Sequence, residues 1–142
     1  MKEAPFIHSL FVSYGKEVPR EERIPYTVGE KLTSEVLSRL AEHIRSGWAQ
    51  SVQLEDETME NSLAADFREG WATIYIVKDT HHYYELLNRG SPDDETPLHI
   101  TGDGPTPKKH ATENIPLVAE AIVHFARTGQ PLPACGWEES SH

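Results

Sequence analysis

Residues 63–77, LAADFREGWATIYIV, decide the fold. Two β-like runs flank Glu69 and Gly70, and a glycine supplies the positive φ that a tight hairpin turn demands. In the second run Ala72, Ile74 and Ile76 alternate with Trp71, Thr73, Tyr75 and Val77, so both faces are largely apolar, as in a strand central in its sheet. Downstream, HHYYELLNRG (residues 81–90) reads as a neighbouring antiparallel strand running to a turn at 88–90, with a short helix as the alternative. Upstream, residues 6–12 are rich in β-branched and aromatic side chains and form an opening strand, broken by Gly15 and Pro19. Residues 48–54 offer another strand, with Trp48, Gln50, Val52 and Leu54 in one register.

Two stretches carry a different period. Between Thr33 and Gly47, Val36, Leu37, Leu40, Ala41 and Ile44 recur at three- and four-residue intervals, while Glu35, Arg39, Glu42 and Arg45 fill the opposite face. Thr33 is the expected N-cap, with Thr27 and Glu30 as a competing capping box further upstream. From Ile115, the residues Leu117, Val118, Ala121, Ile122 and Phe125 share one face, Pro116 suits the first turn, and Gly129 ends the helix. Residues 91–109, rich in proline and glycine, read as loops around one short strand at 98–100. Two one-sided helices with several β runs between them predict an α+β fold: an antiparallel β-sheet with two main helices packed on one face. At 142 residues the chain is expected to be one domain spanning 1–142.

Acidic residues outnumber Lys and Arg by 23 to 13, for a formal charge of −10. That balance disfavours sequence-independent binding to nucleic acid or to anionic membranes and points to a basic partner. With one cysteine, Cys135, no internal disulfide can form, which fits a reducing, cytoplasmic compartment. The N-terminal apolar run is too short for a signal peptide, and no segment approaches the ~18 apolar residues of a membrane span.

The last part of the sequence, FARTGQPLPACGWEE (125–139), is stiff by construction: Gly129 lets the chain leave the helix, and Pro131 and Pro133 fix an extended path. It is expected to dock Trp137 as a latch on the core, where truncating a buried indole would cost about 3–5 kcal/mol. The arrangement Ile115-Pro116, Ala121, Phe125, Thr128-Gly129, Pro131 and Trp137 resembles the C-terminal signature of immunity-protein family one of bacterial polymorphic toxin systems. The run IYIV followed by HHYYELLNRG is similar to the middle of that family. The resemblance implies a small antidote that binds and blocks a cognate toxin domain, often one attacking nucleic acid. In that family Pro116, Phe125, Gly129, Pro131 and Trp137 correspond to framework positions, so the resemblance assigns no toxin contacts.

An acidic antidote would compete for the Lys and Arg with which a nuclease or deaminase attracts phosphate. The candidate partner-binding residues are the cluster Glu55, Asp56, Glu57 and Glu60, the cluster Asp93, Asp94 and Glu95, and the aromatic pair Tyr83 and Tyr84. No cofactor and no metal is expected. The rival reading, a small metal-dependent enzyme using His81, His82 and His99, with Asp79, Glu85 and His110 as further candidate ligands, meets an objection of spacing: adjacent histidines on a strand point to opposite faces, and no H-E-x-x-H pattern is present. A third reading is an adaptor that recruits another protein through a sheet edge or Trp48. Cys135 and the loop TGDGPTPKK (101–109) show neither the setting of a nucleophile nor the frame of a P-loop.

Overall fold

The computed structural model describes residues 6–89, 97–101 and 104–141. The protein is α+β. Seven antiparallel strands form one sheet: β1 (Ser9–Tyr14), β2 (Thr27–Val28), β3 (Ala49–Glu55), β4 (Ser62–Arg68), β5 (Trp71–Lys78), β6 (His82–Leu86) and β9 (Trp137–Ser141), in the spatial order β2-β1-β3-β4-β5-β6-β9. A separate two-stranded ribbon, β7 (Leu98–Thr101) and β8 (Gly104–Thr106), contacts β4 and β5. Helices α1 (Ser34–Arg45) and α2 (Ile115–Thr128) pack on each other and on one sheet face.

The hairpin in the opening stretch forms as its alternation requires. Glu69 and Gly70 both have positive φ, 53° and 85°, so the β4–β5 connection has the handedness of a type I′ turn, whose twist matches that of the paired strands. Side-chain parity then sorts the sheet into two faces. On the inner face one row crosses the sheet as Leu10, Leu54, Leu63, Ile76 and Tyr84, and a second as Val12, Val52, Ala65 and Ile74. These residues join Leu37, Leu40 and Ile44 of α1 and Val118, Ile122 and Phe125 of α2 in one buried cluster.

Both helix ends are closed by their own sequence. Thr33 Oγ1 accepts from the Val36 amide, and Asn114 Oδ1 from that of Leu117. Pro116 lies in the first turn of α2, where no intrahelical amide donor is needed. Gly129 closes α2 at φ 73°, and a Cβ there would press on the Phe6 ring 2.7 Å away. The chain then returns through Leu132, and β9 is added to the sheet beside β6, with Trp137 opposite Leu86. Trp137 Nε1 donates to Leu132 O at 2.9 Å. The tail is therefore docked as expected, but as the outer strand of the sheet. Its indole is only partly buried, so the cost of full indole burial does not apply.

Three local expectations change. The first strand starts at Ser9, not residue 6, because Ile7 is held by Ala126 O and His8 by Glu55 O before regular pairing begins. Thr27 and Glu30 form no capping box: Thr27 is in β2, and Glu30 sits in a single 3-10 turn, Gly29–Lys31. In β3 the register shifts between Ser13 and Tyr14, which pair with Ser51 and Ala49. Gln50 is the extra residue of a bulge, so Ala49, not Trp48, shares the buried face with Val52 and Leu54.

Candidate functional site

Among the described residues, no α-helix packs on the second sheet face. Its central row runs Phe11, Gln53, Ala64, Tyr75, Glu85 and Glu138 across six strands, by direct pairing at every step. A parallel row runs Glu55, Ser62, Val77, Tyr83 and Ser140. Parity explains why these residues meet: each is an odd position of a strand whose even positions face the helices, or the converse on β4 and β9. Phe11 and Tyr75 remain 46% and 41% exposed, although large apolar and aromatic groups favour burial. Tyr75 stacks on Tyr83 with ring centroids 5.8 Å apart and planes 29° from parallel. Burial, then the neighbouring Tyr83 and Glu85, push the Tyr75 phenol above its ordinary range, so it stays protonated.

Glu85 and Glu138 stand directly opposite each other on β6 and β9, an arrangement that is repulsive by itself. His110 lies between them: Nε2 is 3.0 Å from Glu138 Oε2 and Nδ1 is 3.4 Å from Glu85 Oε1. Its hydrogen bond, then its charge, hold Glu138 below the usual carboxylate range. His110 belongs to a 3-10 turn, Lys108–His110, fixed against the sheet by Thr73 Oγ1 donating to His110 O and by the Asn88 amide donating to Lys109 O. Past the end of β6, Thr112 takes that strand's place and exchanges two backbone bonds with Ala72. Between the open face and residues 104–107 lies a groove of about 320 Å³, with Asp66, Tyr75 and Glu85 in its lining.

The predicted residues divide. Glu55 lies on the open face, and Glu57 and Glu60 are exposed in the β3–β4 loop. Asp56 is not on the surface: it is 8% exposed, and its carboxylate accepts from Thr58 Oγ1 at 3.0 and 2.9 Å, from the Asn61 amide at 3.2 Å and from Asn61 Nδ2 at 2.7 Å. It is the framework of that loop. Burial would raise its carboxyl, but the bonds from Asn61 and Thr58 outweigh burial and lower it. The loop in turn grips the β5–β6 turn, with Asn61 Oδ1 accepting from the Asp79 amide and Glu60 O from that of Thr80. Asp79 and Thr80 both have positive φ, 52° and 67°, a conformation unfavourable for a β-branched residue and held here by those contacts.

Tyr83 faces outward, and its hydroxyl donates to Thr80 O. Tyr84 does not join it: one position on, it lies in the inner row beside Ile76 and packs against the core. Asp93, Asp94 and Glu95 lie outside the described residues. Sequence reasoning passed over Phe11, Asp66, Tyr75 and Glu138, and weighed Glu85 and His110 only as metal ligands. For Tyr75 and Glu85 the signal was present, since the alternation that buries Ile74 and Ile76 puts Tyr75 on the other face. Nothing in the sequence announces the approach of His110 to Glu85 and Glu138.

Among the described residues, no group of three His, Cys, Asp or Glu side chains is placed to hold a metal ion. His81 and His82 are exposed at the start of β6, and His99 is exposed in the ribbon. Cys135 is buried, and burial with the nearby Glu120 pushes its thiol up to about 11, a poor setting for a nucleophile. No helix among the described residues is long and apolar enough to cross a membrane. No protein-family model matches the chain, and no curated protein or solved structure shows significant similarity to it. The immunity-family resemblance thus rests on the motif residues quoted above.

Proposed function

We propose that the protein is a noncatalytic antidote that binds a basic toxin domain through the open sheet face and covers its active site or substrate channel. One observation carries this reading: a sheet face that no α-helix of the described residues covers displays Phe11 and the stacked Tyr75 and Tyr83 near Glu55, Glu85 and Glu138. Aromatic anchors beside carboxylates supply contact area at the centre and steering at the edge. The formal charge of −10 supports a positive partner, and a toxin that handles nucleic acid presents such a surface. The resemblance of the C-terminal segment to immunity-protein family one supports the same class.

Co-expression with the product of the adjacent gene tests the reading. The pair is expected to co-purify and the antidote to restore growth. Tyr75→Ser combined with Glu138→Lys should abolish both effects while leaving the circular dichroism spectrum unchanged, whereas Glu35→Lys and Glu42→Lys on α1 should preserve them. A neighbour that is harmless alone, or rescue indifferent to the open-face changes, refutes the proposal.

A further inference from the structure

We infer that the β2 edge of the sheet is a self-association surface, on which a second copy of this chain docks through Tyr26 and Val28. The sheet has two edge strands, β2 and β9, and neither pairs with a further strand among the described residues. The two edges are finished differently. β9 carries Glu138 and Glu139, both exposed, and carboxylates on an edge repel another edge of the same kind. β2 carries no charge: its residues are Thr27 and Val28, preceded by Pro25 and Tyr26. Tyr26 is 66% exposed and Val28 38%, and with Phe11 they are three of the six large apolar or aromatic side chains exposed among the described residues. Register gathers them. Val28 lies directly opposite Ser9, which places it on the open face, diagonal to Phe11 at about 7–8 Å. Continued by one step beyond Leu10 and Thr27, the same register leads to Phe11 and Tyr26. The Tyr26 ring stacks on no other ring among the described residues, and tyrosine is a side chain that interfaces enrich.

Charge says what covers the patch. Residues 15–31, which include this edge, hold four of the 13 Lys and Arg and four of the 23 Asp and Glu, so the segment is neutral while the rest of the chain has 9 against 19. A basic partner is drawn to the acidic remainder. A second copy is repelled by that remainder and meets least resistance here, where apolar groups sit in a charge-balanced surround. An apolar patch is complementary to itself, so the contact is isologous and closes as a twofold dimer with no open end for further growth. Two strand residues offer little backbone to pair, so side chains carry the contact, and it falls in the weak, concentration-dependent class.

The test is sedimentation velocity of the whole protein from about 5 to about 500 µM, a span that covers weak dimers. The protein should pass from monomer to dimer across it, and the amide shifts that move on dilution should centre on residues 9–11 and 26–29. Tyr26→Ser and Val28→Thr should each weaken association at least fivefold with unchanged circular dichroism spectra, whereas Tyr26→Phe, which keeps the ring, should not. Met59→Ser removes a side chain that is still more exposed, in the β3–β4 loop, and should change nothing. Raising sodium chloride from about 50 to about 500 mM should strengthen the dimer, because salt screens the repulsion between two molecules of charge −10 and leaves apolar contact intact. A protein monomeric throughout, a dimer indifferent to Tyr26 and Val28, or shifts centred on β9 or elsewhere overturns the proposal. So does a dimer that salt dissolves, since it would rest on opposite charges instead. Tyr26 and Val28 are absent from the open-face rows proposed to meet the toxin, so failure here leaves the antidote reading standing, and failure of growth rescue leaves the dimer standing.

Discussion

Replacing Gly136 with alanine should unseat the last strand of the sheet. A Cβ at this position would overlap the carbonyl oxygen of Leu87, a backbone atom that cannot swing aside as a side chain can. Leu87 is also tied to the same spot from its other side, its amide donating to Gly136 O at 2.9 Å. Gly136 does not have positive φ, so the expected cost is steric: about 1–3 kcal/mol for forcing a methyl group into a filled site, with about 1 kcal/mol more for the strained or lost Leu87 bond. The sum is about 2–4 kcal/mol. Gly70→Ala is the internal control, because Gly70 has φ 85° with open space around its Cβ, and only the left-handed backbone penalty of about 1–2 kcal/mol applies. Urea unfolding of both variants, with amide exchange across Glu138–Ser140, separates the two effects. Gly136→Ala should lose more stability and lose exchange protection at β9, carrying Glu138 away from His110. A Gly136→Ala protein within 0.5 kcal/mol of the parent, with β9 still protected, would refute the reasoning.

Asp56→Ala should destabilise the protein by about 1–3 kcal/mol by stripping donors in the β3–β4 loop of their acceptor, while Glu57→Gln stays within about 0.5 kcal/mol in the same urea assay. Because the folded-state value of the Asp56 carboxyl is lowered, its contribution is present above the unfolded value near pH 4 and lost as pH falls through the folded one; Asp56→Ala should flatten that acid limb. His43, buried beneath Trp48 and bonded to Tyr14 Oη at 2.8 Å, is lowered by burial and then by Arg39. The unfolded chain therefore takes up this proton first, so stability should fall as pH drops below about 6.5 and level off below the folded value. Urea midpoints between pH 8 and 5 should show this slope in the parent and a shallower one in His43→Gln. Cys135, raised to about 11 and buried, should react with a thiol reagent at pH 7.5 at least a hundredfold more slowly in the native protein than in urea; similar rates would contradict its placement.

The fold was legible wherever burial imposed a period. The β4–β5 hairpin, both amphipathic helices, the Thr33 cap and the left-handed Gly129 follow from local pattern, because the apolar stripe and the backbone requirement coincide at those residues. The register of β3 was not legible, since the Gln50 bulge inverts parity within one strand and leaves no local mark. The acidic run 55–60 looked uniform in sequence, yet the fold turns Asp56 inward to satisfy four donor contacts and leaves its neighbours in solvent. Tyr83 and Tyr84 looked equivalent as composition, and strand parity alone separates an outward-facing side chain from one packed on the core. The pairing of His110 with Glu85 and Glu138 joins three segments far apart in the chain, and only the tertiary arrangement brings them together.

The four strands β3 to β6 follow one another in space as they do in sequence, each joined to the next by a short turn. Such a meander closes only small loops, whereas β1 must find β3 across α1, and β9 must find β6 across α2. The meander is thus the natural nucleus of folding, and the outer strands are late additions. Damage at Gly70 should then be felt as slower refolding, and damage at Gly136 as faster unfolding, which gives two glycines of one sheet opposite kinetic signatures.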